Sequence, residues 1–281
     1  MAVSLPGSLS LGLSPCPNDT CIFHALLHGL IPAPAAIRPY LADVERLNSL
    51  ARQKKLDVTK MSLGVAAQIM DDYALLASGA ALGWGCGPLV VAREALPPEA
   101  WRTARVAVPG LLTTANLLLT LHGGFQGPRQ EMLFSQVMPA VARGDADLGV
   151  IIHEGRFTFG RMGLVKLLDL GQWWEGAFHL PLPLGAIAVR RDLPLQTARA
   201  MQTAIADSLA YARAHPEACK DFVRSHAQEM EDSVIRAHIE TFVTDFSLDL
   251  GEAGRRAIEA LAGRAAALLG RELPARGLFL E

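Results

Sequence analysis

The sequences PLVVAR at residues 88–93 and GAIAVR at residues 185–190 are two similar apolar stretches, and each ends in arginine. Short apolar runs of this kind are typical of buried β-strands. Residues 94–184 between them form a complete alternation of strand and helix patterns. We therefore predict a smaller α/β lobe, residues 94–184, inserted into a larger α/β lobe of residues 1–93 and 185–281. The two arginine-ended strands would be the crossings, and a ligand site is expected between the lobes.

The rest of the chain favours an α/β fold that ends in a helical segment. Apolar runs at residues 8–13, 37–41 and 56–59 alternate with helix-period patterns. Such alternation is typical of a sheet with helices on its faces. After Arg191 the patterns are only helical. They cover residues 196–214, 216–226, 233–243 and 252–269.

The composition excludes two functional classes. The chain has 281 residues, of which 51% are hydrophobic, and 26 Lys+Arg against 28 Asp+Glu give a net charge of −2. Disordered chains are less hydrophobic and more highly charged. Nucleic-acid binders usually carry a basic surplus or a basic stripe, which this sequence does not have. The expected partner is a small molecule and not a nucleic acid.

The mean hydropathy of +0.25 raises the question of a membrane segment. Residues 73–92 carry no charge and are long enough to span a bilayer, but four glycines and Pro88 interrupt them. We interpret this segment as buried strands joined by a glycine loop, without membrane insertion. No basic region precedes the apolar start of the chain, so a cytoplasmic location is expected. The cysteines show no zinc spacing, which predicts buried, reduced thiols and no metal site.

Three corners, at which a strand pattern gives way to a helix pattern, carry polar residues. They are residues 14–20, 59–62 and 109–115. Backbone N–H groups at a helix start can receive an anion, and α/β proteins bind ligands beyond the carboxyl ends of strands. Ordinary helix capping explains each corner alone, but three corners on two lobes favour an anionic ligand held between them. The candidate binding residues are Asn18, Asp19, Lys60, Ser62, Thr113 and Thr114.

His153 is the candidate catalytic residue. It follows the apolar run 148–152, at the end of a strand that would face the cleft. A histidine there titrates near neutral pH and can act as a general base, although a structural role in the loop has equal weight. The sequence contains no P-loop, no G-x-S-x-G and no H-E-x-x-H motif. A single base without metal or nucleotide fits an elimination or a carbon–carbon cleavage.

These segments match a known family as an ordered set. The motifs are SPCPNDT at 14–20, TKMS at 59–62, GPLVVA at 87–92, VPG at 108–110, TTA at 113–115, IIHE at 151–154, RFT at 156–158 and LPLPLG at 180–185. The chain resembles the 1,4-dihydroxy-6-naphthoate synthases of the futalosine route to menaquinone. The resemblance extends from about residue 9 to residue 250. Each motif alone is modest, but their order is specific.

The resemblance implies a fold, a reaction and a set of site residues. The fold would be that of two-lobed periplasmic binding proteins of type II. The carboxylate substrate, cyclic dehypoxanthinyl futalosine, would be split into 1,4-dihydroxy-6-naphthoate and dihydroxyacetone, without metal or organic cofactor. The family's base matches His153, and its ligand contacts match Lys60, Met61, Ser62, Thr114 and Ala115. One departure is Cys21, where the family usually has an apolar or aromatic residue, and we interpret it as a change in packing.

Other functions share this fold. A non-catalytic solute-binding protein is expected to carry an export signal, which is not visible in this sequence. Chorismate dehydratase would share both the fold and a carboxylate substrate, although the segments around His153 and residues 14–20 favour the naphthoate synthases. The effector domain of a transcription regulator fits less well, because no helix-turn-helix pattern or basic excess is present.

Overall fold

The computed structural model of the protein describes residues 7–228 and 231–281. Its strands are β1 (Ser8–Leu13), β2 (Ala36–Leu41), β3 (Val58–Ser62), β4 (Tyr73–Leu75), β5 (Ala81–Gly83), β6 (Leu89–Ala92), β7 (Val106–Val108), β8 (Arg129–Glu131), β9 (Leu148–Ile151), β10 (Val165–Asp169) and β11 (Leu182–Arg190). Its helices are α1 (Pro17–Leu27), α2 (Val44–Arg52), α3 (Leu63–Ile69), α4 (Pro98–Trp101), α5 (Thr114–His122), α6 (Phe134–Arg143), α7 (Gly155–Thr158), α8 (Leu170–Phe178), α9 (Leu195–Ala214), α10 (Lys220–His226), α11 (Asp232–Phe242), α12 (Asp245–Leu248) and α13 (Gly251–Leu268).

A six-stranded sheet forms the core of the first lobe. Its order is β2-β1-β3-β11-β4, and β5 pairs with β11. β1 runs parallel to β2 and β3, whereas β11 runs antiparallel to β3, β4 and β5. Every residue of β3 is buried, as expected for a central strand that helices cover on both faces. This sheet and the helices packed on it are called the first lobe below.

A five-stranded sheet forms the core of the second lobe, in the order β10-β6-β9-β7-β8. The strand β6 is antiparallel to both β9 and β10. The segment 88–93, which we predicted to belong to the larger lobe, therefore contains the strand β6 of the second sheet. The chain leaves the first sheet after β5 and enters the second at β6, so the crossing lies at residues 84–88. It returns at residues 179–181, just before β11.

The predicted lobe boundary at residue 93 was wrong, because an apolar pattern indicates that a strand is buried but not which sheet it joins. The two arginine-ended strands are alike in being buried, and burial does not reveal with which sheet a strand pairs. In addition, the short strand β5 lies within the segment that we predicted to be a glycine loop. That strand is the last of the first sheet before the crossing.

The uncharged segment 73–92 is part of the core, as predicted. Tyr73 is fully buried, and its hydroxyl donates to the carbonyl oxygen of Leu56 at 2.6 Å. An apolar cluster continues from Met61 in the first lobe to Val90 and Trp174 in the second. Within residues 7–228 and 231–281, no helix is long and apolar enough to cross a membrane.

The cysteines and the C-terminal helices agree with the predictions. Cys16, Cys21, Cys86 and Cys219 are buried and free. The Sγ atoms of Cys21 and Cys219 are 3.7 Å apart, so Cys21 packs against a second thiol. The four predicted C-terminal helical patterns are helical, and a short additional helix, α12, lies between the last two of them.

Two local differences matter for the site. The helix α1 begins at Pro17, within the corner predicted at residues 14–20, so Asn18 and Asp19 lie in its first turn. The strand β3 continues to Ser62, so Lys60 and Met61 are strand residues and do not follow the strand. Both differences arise because a corner contains residues that suit a loop, a cap or a buried strand, and only tertiary contacts decide among them.

Candidate active site

A cleft lies between the two lobes and encloses about 690 Å³ of space, counting its open mouth. Seven of the predicted binding residues and the predicted base line it. These residues are Asn18, Lys60, Met61, Ser62, Thr113, Thr114, Ala115 and His153. Asp19 does not belong to the lining. It lies behind the wall and contacts the residues that do.

Asp19 and Lys60 form a buried ion pair beneath the cleft. Lys60 Nζ donates to Asp19 Oδ1 at 2.9 Å, and the two side chains are only 7% and 0% exposed. Asp19 Oδ2 accepts from the backbone N–H and the hydroxyl of Ser14, at 3.0 and 2.8 Å. The carboxylate is therefore fully used inside the protein, and its role is to hold Lys60 and the 14–20 corner in place.

Ser62 is oriented by a neighbour that the sequence did not indicate. Asn48, on α2, is fully buried. Its Nδ2 donates to Ser62 Oγ at 3.1 Å, and its Oδ1 accepts from the Ser62 backbone N–H at 2.8 Å. Because Ser62 Oγ accepts this bond, its own proton remains available to an acceptor in the cleft. Ser62 precedes α3 but makes no side-chain cap bond to it.

The opposite wall is the start of α5 in the second lobe. Thr113 is its N-cap and accepts from the N–H of Asn116 at 3.2 Å, while its hydroxyl donates to the carbonyl oxygen of Gly110 at 2.7 Å. The N–H groups of Thr114 and Ala115 lie in the first turn, where a helix has no internal acceptor for them. Such groups can bind an anionic oxygen.

The two lobes meet closely beside this wall. The hydroxyl of Thr114 donates to the carbonyl oxygen of Leu184 on β11 and accepts from the N–H of Gly64 on α3 at 3.3 Å. A Cβ atom on Gly64 would lie 2.5 Å from the carbonyl oxygens of Leu112 and Thr113. Only glycine permits this approach, so position 64 sets the distance between the walls.

His153 lies just beyond β9 and faces the cleft. Its backbone has φ 55°, a left-handed conformation that is uncommon for a residue with a side chain. Its ring contacts Phe134 edge-on at 4.9 Å between centroids. Removal from water lowers the pKa of His153 to about 4, against a smaller opposing effect of Asp19. The imidazole is therefore neutral at pH 7, the form that accepts a proton.

His238 and Arg156 are site residues that the sequence analysis missed. The His238 ring on α11 stacks on that of His153, with centroids 6.0 Å apart, and is fully buried. Arg156 lines the cleft, where its guanidinium donates to the Gly87 carbonyl oxygen and pairs with Asp169 at 3.0 Å. The RFT motif contained Arg156, but its ion pair was not foreseeable. No local signal marks His238, which reaches the site from the helical segment.

The ionic groups around the cleft are balanced. Lys60 is matched by Asp19, and Arg156 is matched by Asp169. In the part of the chain that the structure describes, no three His, Cys, Asp or Glu side chains are grouped so that they could hold a metal ion. The cleft therefore offers hydroxyl and N–H donors to a ligand. These donors lie close to the positive charges of Lys60 and Arg156, each of which is paired with a carboxylate.

Comparison with known proteins identifies the family. Residues 9–267 match the model of a family described as menaquinone biosynthesis. This chain belongs to the menaquinone biosynthesis family. The matched residues cover both lobes of the chain.

Two curated relatives of this chain are named 1,4-dihydroxy-6-naphthoate synthase, which confirms the resemblance stated from the motifs. The relative from Thermus thermophilus is 51% identical over 260 residues, which cover 92% of this chain and 94% of the relative. The relative from Streptomyces coelicolor is 45% identical over 266 residues, which cover 92% of this chain and 93% of the relative.

Solved structures confirm the predicted fold of this chain. A protein from Archaeoglobus fulgidus has a TM-score of 0.88 and 32% identity, and the match covers 93% of this chain and 98% of that one. The periplasmic aliphatic sulphonate binding protein of Escherichia coli has a TM-score of 0.67 at 11% identity, and the match covers 98% of this chain and 92% of that protein. The predicted periplasmic-binding-protein-like fold is therefore correct, and at that identity the second likeness concerns the fold alone.

Proposed function

We propose that this enzyme is a carbon–carbon lyase that converts cyclic dehypoxanthinyl futalosine into 1,4-dihydroxy-6-naphthoate and dihydroxyacetone, with His153 as general base. The names of the two relatives support the reaction. The observation that carries the assignment of the base is the position of His153 in the lining of the cleft, among the predicted binding residues of both lobes. The lowered pKa of its imidazole agrees with this role. A cytoplasmic location and the absence of a nucleic-acid partner stay predictions from the sequence.

The proposed chemistry begins with proton abstraction. Neutral His153 removes a proton from the sugar-derived part of the substrate. The electron pair left behind opens the carbon–carbon bond, and formation of the new aromatic ring favours release of the products. The low pKa of His153 keeps the base unprotonated before the substrate binds.

The proposed substrate contacts come from both walls. The carboxylate and polar groups of the substrate are held by the Ser62 hydroxyl on one wall and by the N–H groups of Thr114 and Ala115 on the other. Lys60 and Asn18 add a positive charge and a polar side chain at the first wall. Closure of such a cleft around a ligand would exclude water and bring the contacts together.

The first test replaces His153 by asparagine, a residue that tolerates the left-handed backbone at this position. We expect kcat to fall by about 10²–10⁴-fold with little change in KM, since a positioned base contributes roughly that factor. Formation of the naphthoate is followed by ultraviolet absorbance. The matched control is His179→Asn, because His179 is exposed and has a similar φ of 53°. Near-normal kcat in the His153 variant would overturn the assignment.

A second test uses the pH dependence of kcat/KM, which reports the ionisation of the free enzyme. A base with a pKa of about 4 stays neutral when the pH falls below 6.5 and loses activity only near pH 4. We therefore expect the acid limb to lie close to pH 4. An acid limb near pH 6.5 that disappears in His153→Asn would show that His153 has the pKa of a histidine in water, and would contradict the expected limb near pH 4.

The choice between sister reactions needs a separate experiment. Chorismate dehydratase would act on another carboxylate, and the anion-binding corners do not separate the two substrates. Purified enzyme is incubated with cyclic dehypoxanthinyl futalosine and, in a parallel sample, with chorismate. We expect consumption of the futalosine derivative alone, whereas consumption of chorismate alone would assign the chain to the sister reaction.

A further inference from the structure

The Asn18 side chain lies between His238 and Asp19, and both ends of its amide are occupied. Its Oδ1 is 3.0 Å from His238 Nε2, and its Nδ2 is 2.8 Å from Asp19 Oδ1. Asn18 is only 5% exposed, and it lines the cleft. The orientation of this amide therefore decides what Asn18 presents to a ligand.

The contact with Asp19 fixes which end of the amide is which. Asp19 Oδ1 also accepts from Lys60 Nζ at 2.9 Å, and a carboxylate paired with an ammonium group is an acceptor only. The group that faces Asp19 must therefore be the Asn18 nitrogen. The Asn18 oxygen then faces His238, and His238 Nε2 must carry the proton that it donates.

The other ring nitrogen of His238 agrees with this arrangement. Nδ1 of His238 is buried and has no hydrogen-bond partner in the structure described. An unprotonated nitrogen without a partner is less costly there than an N–H donor without an acceptor, because the N–H form would leave Asn18 Oδ1 without its donor as well. Burial and the nearby His153 hold the pKa of His238 well below its ordinary value, so the ring is neutral.

We propose that His238 is a positioning residue that locks Asn18 with its remaining N–H directed into the cleft, so that Asn18 selects an oxygen acceptor on the ligand. An asparagine amide offers two N–H donors and one oxygen. His238 takes the oxygen and Asp19 takes one N–H. The second N–H is the only donor of the Asn18 side chain that remains for a ligand. This inference rests on the proposed function for its substrate, but not for the amide geometry.

The proposal gives the C-terminal helical segment a role in the site. His238 and Asn18 are 220 positions apart, and α11 brings them together. Phe242, one turn further along α11, also lines the cleft. A loss of the His238 donor would free the Asn18 amide to rotate. The Asn18 oxygen could then face the ligand in place of the N–H, and Asp19 would lose one of its donors.

The first experiment does not depend on activity. Histidine labelled with ¹⁵N is introduced into the whole chain, and the nitrogen signals of His238 are assigned by their loss in His238→Gln. We expect His238 in the neutral form with its proton on Nε2 at pH 7. A proton on Nδ1, or a doubly protonated ring, would overturn the proposal whatever the enzyme's substrate is.

The second experiment tests the effect on the ligand. His238→Leu removes the donor, whereas His238→Gln keeps an N–H that can reach Asn18. We expect KM for the futalosine derivative to rise about 10-fold in the leucine variant, since a hydrogen bond to a charged acceptor contributes roughly this factor. The glutamine variant should recover most of the loss, and the shape of the pH profile should stay unchanged in both. Equal KM values in all three proteins would overturn the proposal.

A double-mutant comparison separates positioning from general stability. If His238 acts through Asn18, His238→Leu should raise KM in the wild-type background but not in Asn18→Ala. Additive losses would show that His238 acts elsewhere and would overturn the proposal. Thermal unfolding of each variant identifies proteins that fail to fold. A wild-type enzyme that does not convert the futalosine derivative would refute the proposed function, while the ¹⁵N experiment would still decide the role of His238.

Discussion

The wall of the cleft around Asn18 and Lys60 consists of side chains that bind one another, whereas the wall at the start of α5 consists largely of backbone N–H groups. In the first wall, Lys60 and Asn18 both contact the buried carboxylate of Asp19. In the second wall, Thr113 caps the helix and leaves the N–H groups of Thr114 and Ala115 for a ligand. A ligand between them would meet fixed charges on one side and helix-start dipoles on the other.

This difference determines how each wall responds to mutation. A side-chain wall fails when one partner is removed, because the remaining charge is buried without compensation. A backbone wall retains its donors whatever side chains it carries, provided that the helix still begins at the same residue. The first wall is therefore expected to be sensitive and the second wall tolerant.

The largest effect is expected for Lys60→Met, which leaves Asp19 buried and unpaired. Breaking a buried pair from one side costs about 3–5 kcal/mol, and we expect a loss of that size in the free energy of unfolding. Urea denaturation measures it. Adding Asp19→Asn to the same chain should cost less than the sum of the two single changes. Full additivity would show that the pair is not coupled.

The matched control for this variant is Lys54→Met. Lys54 pairs with Asp72 at 2.7 Å, but the two side chains are 58% and 39% exposed. Exposed pairs contribute about 0–1 kcal/mol, so this variant should unfold at nearly the wild-type urea concentration. Similar losses for Lys54 and Lys60 would contradict the assignment of the first wall to buried charge.

The same difference explains how much of the site could be predicted. The caps of α5 were visible because a threonine N-cap and its helix are neighbours in sequence, and the Thr113 bond to Asn116 spans only three positions. The ion pair of Lys60 spans 41 positions, and the contact of His238 with Asn18 spans 220. Sequence patterns report local geometry and burial, so Lys60 was foreseen as a charge but its partner was not.

The fold was predictable for a related reason. Alternation of strands and helices is a local property, and it predicted the two lobes and the helical C-terminal segment correctly in outline. The pairing of β6 with the second sheet is a long-range property, and it was predicted incorrectly. The candidate base His153 was suggested by its position after a strand, whereas its low pKa depends on burial, which is a property of the folded chain.

The next largest effect is expected where the two walls meet. Gly64→Ala would place a Cβ atom 2.5 Å from two backbone carbonyl oxygens of the other lobe. Backbone atoms cannot move aside like the end of a side chain, so the lobes must separate. We expect a loss of about 1–3 kcal/mol in unfolding free energy, as for overpacked cores, together with a higher KM.

The control for this change is Gly263→Ala in α13. A Cβ atom at position 263 meets nothing within 4 Å. Alanine in a helix interior is favoured over glycine by about 0.5–1 kcal/mol, so this variant should be slightly more stable than the wild type. If both alanine variants shift stability in the same direction, the close approach at Gly64 does not limit the distance between the lobes.

A smaller effect is expected for the cap of the backbone wall. Thr113→Ala removes the acceptor of the Asn116 N–H and should cost about 0.5–2 kcal/mol of stability. Thr113→Ser keeps the hydroxyl and should restore most of it. KM should stay close to the wild-type value in both variants, because the N–H groups of Thr114 and Ala115 remain. A large rise in KM for the alanine variant that the serine variant does not show would mean that this wall also depends on the side-chain hydroxyl.

The smallest effect is expected for the pH dependence of the unfolding free energy. It concerns the contact that joins the two walls, called the seam, where the Glu45 carboxylate accepts from the N–H of Leu112 at 3.1 Å. Burial, with a smaller contribution from Glu131, raises the pKa of Glu45 from 4.5 to about 7. Between these values the folded chain binds more protons than the unfolded chain, so stability falls as pH rises from about 4.5 to 7.

Glu45→Gln tests this dependence, because a glutamine oxygen can still accept from Leu112. One fully shifted group changes stability by about 1.4 kcal/mol per pH unit, and partial exposure of Glu45 reduces this to a fraction. Urea unfolding at several pH values gives the slope of the unfolding free energy against pH. Between pH 4.5 and 7 we expect the variant to lose the part of this slope that Glu45 contributes. The exposed Glu94→Gln serves as control and should keep the wild-type slope. An unchanged slope in the Glu45 variant would mean that the seam joins the walls without a titrating group.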